Sequence, residues 1–447
     1  MRNLIYFVVG GDRDYAKLLL YCINTIRSYK ENDEFDVMVM CDEGYVDVIR
    51  GFPIQHIHIT PHNPSVVHVS MRKTEIFSFA NINEYEKVLY LDCDIVVCGP
   101  LEPMMEVVKC DDVLYVVPES SDIMQHTCAF FQMQDKPYDL KTLNEFATKN
   151  IYTFNCGQFA FKVTDAMVIH FKEIANQIHT SYDPALHFYE QCFMNNHFNR
   201  LGAVSYDISG YVRLLNTWQQ LEAGTQLSTI NHFFISSVHH STKLQRMKQC
   251  HQARIEVAKP LTCDSREMMN QYIKIGHQPA IAEIGVFRGE FAKSLLDMYD
   301  PRVFYMIDPW EGQIYSGDVD GNNMCCVEGD ACYKAVSDAF ACVSAARIIR
   351  KYSYAITNED IPPNSLDLIY IDGDHSYQGV SMDLKLALTL VKPRGFICGH
   401  DYTMNFEKTK NNYDFGVKQA VTEFCVENGY RVVLLMMDGC VSFAIRT

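Results

Sequence analysis

The sequence is short of positive charge. Its 39 lysines and arginines face 55 aspartates and glutamates, giving a formal net charge of −16. A general nucleic-acid binder needs a basic stripe for phosphates, so that class is disfavoured. An acidic cleft holding a divalent metal fits the balance, as does a solvated acidic surface. No apolar stretch approaches membrane-spanning length. The opening run from Met1 to Val9 is too short for a signal-peptide core and lacks a small-residue cleavage site, so it reads as a buried first strand. No internal repeat, low-complexity tract or paired C-x-x-C is present. The 17 cysteines are scattered and odd in number, several within strand-like runs (Cys41, Cys98, Cys398). They read as reduced, buried thiols of a cytoplasmic protein. Cys325, Cys326 and Cys332 are the one cluster that resembles a metal site, and their spacing is poor for zinc.

What is present describes a globular enzyme of two domains. At 447 residues, 48% hydrophobic and 21% charged, the chain exceeds one ordinary core. Strand-like runs alternate with helix-like stretches in both halves, which predicts α/β layers. The first half offers strands at Leu4–Val9, Phe35–Cys41, Lys87–Leu91, Val113–Val117 and Phe159–Val163. Between the first two, a helix over Asp14–Tyr29 places Ala16, Leu19, Leu20 and Ile23 on one face. A polar, basic stretch from Lys243 to Lys259 follows. The alternation then restarts, with strands at Ala280–Ile284, Val303–Ile307, Leu366–Ile371 and Gly395–Gly399. The boundary is expected at 255–265, giving domains 1–258 and 259–447.

The first domain's chemistry centres on Asp92-Cys93-Asp94, at the exit of the apolar strand ending in Leu91. Two carboxylates two residues apart can converge on one hard cation that keeps positions open for diphosphate oxygens. A turn after a strand is the plainer explanation. Around the pair stand Val8-Val9-Gly10-Gly11-Asp12-Arg13-Asp14-Tyr15-Ala16, the run Glu84 to Asp94, Phe154-Asn155-Cys156-Gly157-Gln158-Phe159-Ala160-Phe161, and Glu190-Gln191 followed by Asn195. In this order they resemble the glycogenin-like, GT-A-fold glycosyltransferases over roughly residues 3–250. The resemblance implies a UDP-sugar donor, transfer with retention, and manganese or magnesium. It implies that Asp92 and Asp94 bind metal, and that Gly10, Asp12 and Tyr15 hold the nucleotide. Lys73 would meet the donor phosphates or sugar, and Asn155, Glu190 and Gln191 would line the sugar and acceptor pocket. Glu190 stands where the family has aspartate. The family's histidine ligand falls best on His232, in Asn231-His232-Phe233, with His239 and His240 as a second candidate pair. Lys243 would contact the diphosphate, although it lies further from His232 than in the family pattern.

The second domain opens on Ile281-Ala282-Glu283-Ile284-Gly285-Val286-Phe287-Arg288-Gly289, a strand and a tight glycine turn before a helix. Glycines there let the backbone approach a cofactor closely. About twenty residues on, Asp308 ends the next strand, a placement that suits a ribose diol. The turn is not G-x-G-x-x-G, which favours S-adenosylmethionine over a dinucleotide. Further on come Ile371-Asp372-Gly373-Asp374-His375-Ser376-Tyr377 and Gly399-His400-Asp401-Tyr402. Over roughly 265–445 this is similar to class I O-methyltransferases of the small-molecule and sugar group. The resemblance implies a Rossmann-like fold and S-adenosylmethionine held by Glu283, Gly285, Gly289, Asp308 and Asp372. Asp372 and Asp401 are candidate ligands for Mg²⁺. Asp374 and His375 supply a further ligand and the base, in either order. His400 replaces the second acid that metal-dependent relatives place there, so the metal requirement is open. The insertion Glu311–Asp330 is expected to cover the pocket.

The whole reads as an enzyme that transfers a sugar from a nucleotide sugar to a glycan or small-molecule acceptor and methylates a hydroxyl, with that sugar as the candidate target. The sequence is compatible with an oligomer. Two alternatives stand beside this reading: one domain is a glycan- or nucleotide-binding module, or the second is an NAD-dependent oxidoreductase.

Overall fold

The computed structural model describes residues 2–60, 66–119, 144–146, 148–149, 151–181, 189–215, 228–233, 240–257, 259–311, 327–402, 416–437 and 440–447. The chain divides into two compact units, Met1–Arg254 and Ile255–Thr447.

In the first unit the strands are β1 (Arg2–Val9), β2 (Phe35–Asp42), β3 (His56–Thr60), β4 (Tyr85–Leu91), β5 (Ile95–Val97), β6 (Leu114–Pro118), β7 (Phe154–Lys162), β8 (Val204–Ser205), β9 (Val212–Leu214) and β10 (Ile230–His232). The longer helices are α1 (Tyr15–Arg27), α2 (Asp165–Ser181), α3 (Tyr189–Leu201) and α4 (His240–Val257). Among the described residues, seven strands form one sheet in the order β3-β2-β1-β4-β7-β6-β8, and β5-β10-β9 form a second. β1 pairs in parallel with β2 on one side and β4 on the other, so the strand order switches direction at β1. Ligands of α/β sheets gather outside the carboxyl ends at such a switch. There lie the Gly10–Asp14 loop and Asp92.

α1 is buried over a wider surface than its predicted stripe. Tyr21, Cys22 and every residue from Ile23 to Arg27 are buried, while Leu20 is partly exposed. The reason is a second neighbour: β5 packs against the helix, and Val97 N–H donates to Thr25 Oγ1. β7 begins five residues before its predicted start. Asn155, Gly157 and Gln158 break the apolar alternation there, although both Asn155 and Gln158 are buried. The other end of β7 is core: Phe159 and Phe161 pack with Phe171 of α2, each burial stabilising by roughly 1.5–3 kcal/mol.

The second unit contains β11 (Leu261–Cys263), β12 (Ala280–Ile284), β13 (Val303–Ile307), β14 (Ala346–Ile349), β15 (Leu366–Ile371), β16 (Val391–Gly399), β17 (Val432–Met436) and β18 (Ser442–Arg446). Its longer helices are α5 (Glu290–Tyr299), α6 (Val327–Phe340), α7 (Tyr377–Leu390) and α8 (Val417–Asn428). The described strands form one sheet, β11-β17-β18-β16-β15-β12-β13-β14, in which β18 runs antiparallel to both neighbours. β12 and β13 match their predicted bounds. β16 starts earlier than predicted and accommodates Pro393 with a register shift against β15. The order reverses between β12 and β15, so the second switch point lies between Gly285 and Asp372. Successive loops there start in register: Gly285 N–H donates to Ile307 O, Asp372 N–H to Ile284 O, and His400 N–H to Ile371 O. The Glu311–Asp330 insertion falls largely, and Cys325 and Cys326 wholly, outside the described residues. Cys332 lies on α6 and is buried.

Candidate active sites

Two strand pairings assemble the first site. β4 runs antiparallel to β7 with Leu91 opposite Gln158, so Asp92 comes next to Gly157 and donates its N–H to Gly157 O at 2.7 Å. β10 runs antiparallel to β5 with His232 opposite Ile95, and Phe233 N–H donates to Asp94 O. His232 Nε2 therefore sits 3.2 Å from Asp94 Oδ1 and 3.9 Å from Asp92 Oδ2. One ligand atom from each of Asp92, Asp94 and His232 falls within 4.8 Å of the others. A Cβ on Gly157 would lie 2.2 Å from His232 Cε1 and 2.7 Å from Asp92 Oδ2. The cluster thus occupies the space a side chain would need. Two carboxylates and an imidazole suit a divalent cation of the manganese or magnesium class. His239 and the side chain of His240 lie outside the described residues.

Two lysines flank the triad. Lys73 Nζ is 3.0 Å from Asp92 Oδ1 and 2.8 Å from Glu190 Oε1. Lys243, on α4, pairs with Asp94. Burial opposes ionisation of Asp94, but the Lys243 ammonium and the His232 ring overcome it and hold the carboxyl below its ordinary range. Burial likewise opposes the charge on Lys73, and Asp92 and Glu190 outweigh it, raising its pKa. Burial raises Glu190 despite Lys73. The proton between these two belongs to the lysine, and Glu190 is closed into an ion pair rather than facing open space.

Gln191 Oε1 accepts Cys156 N–H at 3.2 Å, and its amide donates to Glu119 Oε1 at 3.1 Å. Asn155 Oδ1 accepts Gly157 N–H, and its amide donates to the same Glu119 oxygen. Tyr15 feels both Lys243 and Asp94, although burial dominates the upward shift of its phenol. Asp12 is exposed, with Oδ1 accepting Asp14 N–H. A Cβ on Gly10 would lie 2.7 Å from Val69 Cγ2. Sequence reasoning missed Glu119 and Tyr90, whose hydroxyl donates to Asp92 Oδ1 at 2.6 Å.

The second site is a cavity of about 630 Å³ at the β12/β15 switch point, within the range of small-molecule and cofactor sites. Gly285, Glu283, Asp308, Asp372, Asp374 and His375 all line it. Gly285 has φ +86°, and a Cβ there would fall 2.0 Å from the Asp372 carbonyl oxygen. Gly289 precedes α5 at φ +79°. Asp308 ties the turn to the next loop, accepting N–H groups from Phe287 and Trp310. Phe287, Trp310 and Asp401 all take positive φ without being glycine, and strain of this kind clusters at ligand clamps. Glu283 is buried, and its Oε2 has no hydrogen-bond partner. Burial, reinforced by the charge of Asp372, pushes its carboxyl far above the usual range. An orphaned buried carboxyl in a cavity of this size fits a cofactor that brings its own polar groups.

At the cavity's edge Asp372, His375 and Asp401 bring ligand atoms within 4.8 Å of one another. His375 Nδ1 is 3.2 Å from Asp401 Oδ2. His400 Nδ1 lies 3.5 Å from Asp372 and 3.4 Å from Asp401, and Arg266 Nη1 is 3.1 Å from Asp372 Oδ2. Burial opposes the charge of His400, which Asp401 and Asp372 restore, raising its pKa. Asp374 is used differently: its Oδ1 accepts Ser376 N–H at the start of α7. Arg266 was missed, because no motif marks the segment that carries it.

Both units are transferase domains. The family model described as glycosyl transferase family 8 matches residues 7–229, and a methyltransferase domain model matches residues 282–402. The chain is thus a glycosyl transferase family 8 domain of the GT-A type followed by a Rossmann-like methyltransferase domain. The methyltransferase class implies S-adenosylmethionine, and the glycosyltransferase class a nucleotide-sugar donor and an acceptor. No curated protein matches the chain. Similar solved structures include the bifunctional glycosyltransferase WbbM, 16% identical with a TM-score of 0.37, covering 55% of this chain and 49% of that one. A glycosyltransferase involved in the glycosylation of the major capsid of PBCV-1 is 14% identical with a TM-score of 0.34, covering 56% of this chain and 99% of that one. An O-methyltransferase family protein from Burkholderia thailandensis is 11% identical with a TM-score of 0.30, covering 45% and 60%. The chain thus spans about half the length of the first. Among the described residues no helix is long and apolar enough to cross a membrane.

Proposed function

We propose that the first unit transfers a sugar from a UDP-sugar, with retention, and that the second methylates a hydroxyl, with the transferred sugar as its target. The observation that carries the first half is the convergence of Asp92, Asp94 and His232 between two buried lysines. A divalent metal of the manganese class held by that triad would stabilise the charge growing on the leaving diphosphate. Lys243 and Lys73 bring positive charge to the same place, and Glu190 positions Lys73. Asn155 and Gln191, both anchored on Glu119, present fixed amides to the sugar and acceptor. The nucleotide lies over Gly10, Asp12 and Tyr15.

In the second unit Glu283, Gly285, Gly289, Asp308 and Asp372 hold S-adenosylmethionine, which supplies an electrophilic methyl group. An alcohol is a poor nucleophile until it loses its proton. The His375–Asp401 contact supports His375 as the base, with Asp401 orienting the ring and stabilising its charged form. Arg266 and His400 already neutralise Asp372 and Asp401, which favours a base without a metal. A second reading rests on the three converging donor atoms: Asp372, His375 and Asp401 hold Mg²⁺ and acidify the hydroxyl. Asp374 shapes the turn into α7. Buried, unbridged cysteines such as Cys22, Cys41 and Cys93 support a reducing cytoplasmic compartment.

Calorimetric titration with S-adenosylmethionine, its demethylated product and NAD tests the cofactor. Binding of the first two and not NAD is expected; NAD binding alone would overturn the second half. Methyl transfer surviving EDTA selects the base reading over the metal one.

A further inference from the structure

The helix pair that carries Glu190 and Gln191 also holds a cluster with no part in sugar transfer. His170 and Glu173 stand one turn apart on α2, and His197 faces them from α3. His170 Nδ1 is 2.9 Å from His197 Nε2, and Glu173 Oε2 is 3.9 Å from that same nitrogen. One atom from each residue lies within 4.8 Å of the others. The far nitrogen of His170, Nε2, is 2.6 Å from Asp112 Oδ1. A carboxylate only accepts, so that nitrogen carries a proton, and in the neutral ring, the form that binds metal, Nδ1 presents its lone pair toward His197. Proteins orient histidine metal ligands in this way, one ring nitrogen held by a carboxylate and the other aimed at the metal. Both rings rest against Phe198 with centroids 5.4 and 5.3 Å away. The His197 side chain is 7% exposed and that of Glu173 57%, so the cluster is closed on the protein side and open to solvent.

We infer that His170 Nδ1, His197 Nε2 and Glu173 Oε2 form a binding site for a divalent transition metal of the zinc class, distinct from the Asp92–Asp94–His232 triad. Two imidazoles with one carboxylate select zinc, nickel or copper over magnesium, calcium or manganese. The site binds a different metal from the transfer centre. Its occupancy ties α2 to α3, the helix whose first turn carries Glu190 and Gln191. The site is therefore a structural clamp on the acceptor side of the transferase unit, with a solvent-facing position left for water.

The test uses the full chain, stripped by chelation and titrated with Zn²⁺ in excess Mg²⁺ against a chromophoric zinc competitor. The D92N/D94N variant is expected to keep one tight zinc equivalent, and H197Q to lose it. E173Q, altered at an exposed side chain, removes a direct ligand and is expected to weaken it by at least about 10-fold, the least that losing even an outer-shell partner costs, which keeps the test valid if H197Q does not fold. Co²⁺ in place of zinc is expected to give the intense visible bands of a four-coordinate site, absent in H197Q. Wild-type zinc affinity and stoichiometry in E173Q and H197Q, or loss of all tight zinc in D92N/D94N, would overturn the inference. Because donor hydrolysis is not the readout, failure here leaves the proposed sugar transfer untouched.

Discussion

Asp92 and Asp94 share a motif but not an environment. Asp94 is enclosed and held ionised by Lys243 and His232, whereas Asp92 retains a side-chain exposure of 27% and meets Lys73 and the Tyr90 hydroxyl. Either Asp→Asn change removes a ligand; D94N also takes from buried Lys243 its carboxylate partner, whereas in D92N Lys73 keeps Glu190. Each is expected to slow donor turnover by about 10²–10³, read as release of nucleoside diphosphate, with a larger effect on metal affinity at Asp94. Asp383 of α7 behaves in the opposite sense. Burial raises its carboxyl to about 6, Ser353 opposes this by hydrogen bonding, and Asp374 adds to it. The folded protein then keeps this proton after the unfolded chain has released it. Stability is therefore lost as pH rises from about 4 to 6 and is level above. D383N is expected to gain at most about 3 kcal/mol at pH 7.5 and nothing at pH 3.5. Denaturant unfolding of both proteins at both pH values checks this, and a gain of equal size at the two would contradict it.

At the scale of elements, glycines mark where strands and ligands compete for space. G157A pushes a methyl into His232 and Asp92. It is expected to cost about 1–3 kcal/mol and to abolish donor turnover even at temperatures where the protein stays folded. G285A forces a side chain into a positive-φ position against the Asp372 carbonyl, and calorimetry is expected to show loss of S-adenosylmethionine binding. Both glycines stand in motifs, and the ends of β12 and β13 were legible for a related reason: unbroken apolar runs bounded by turn residues. Other features were hidden. Glu119 meets Asn155 and Gln191 from 36 and 72 residues away, after a register shift between β6 and β7, and no local pattern records that. Arg266 reaches Asp372 across 106 residues. His232 stood among three candidate histidines, and its placement beside Asp94 follows from the β5/β10 register, which periodicity does not encode. The early start of β7 was obscured because Asn155, which meets Glu119 and Gly157, and fully buried Gln158 interrupt its apolar run.

On the scale of the whole molecule, each unit carries its own two-sided core. The first unit's sheet separates one apolar cluster containing Phe7, Ile23 and Leu91 from another containing Tyr6, Phe159 and Phe171. The second unit has its own pair, around Ile369 and Ile397 and around Phe304 and Leu368. Two separate cores with two separate switch-point sites make the activities separable. D92N/D94N is expected to bind S-adenosylmethionine with wild-type affinity, and G285A to turn over donor at the wild-type rate; loss of both functions in either variant would contradict independent sites. The proposed metal-dependent sugar-transfer centre is Asp92, Asp94 and His232. Its most direct test is release of UDP from a panel of UDP-sugars by the purified chain, with and without Mn²⁺, compared with D92N/D94N. Slow release from one donor, dependent on Mn²⁺ and absent in the double variant, is expected. Release that persists in D92N/D94N, or that EDTA leaves unchanged, would contradict it.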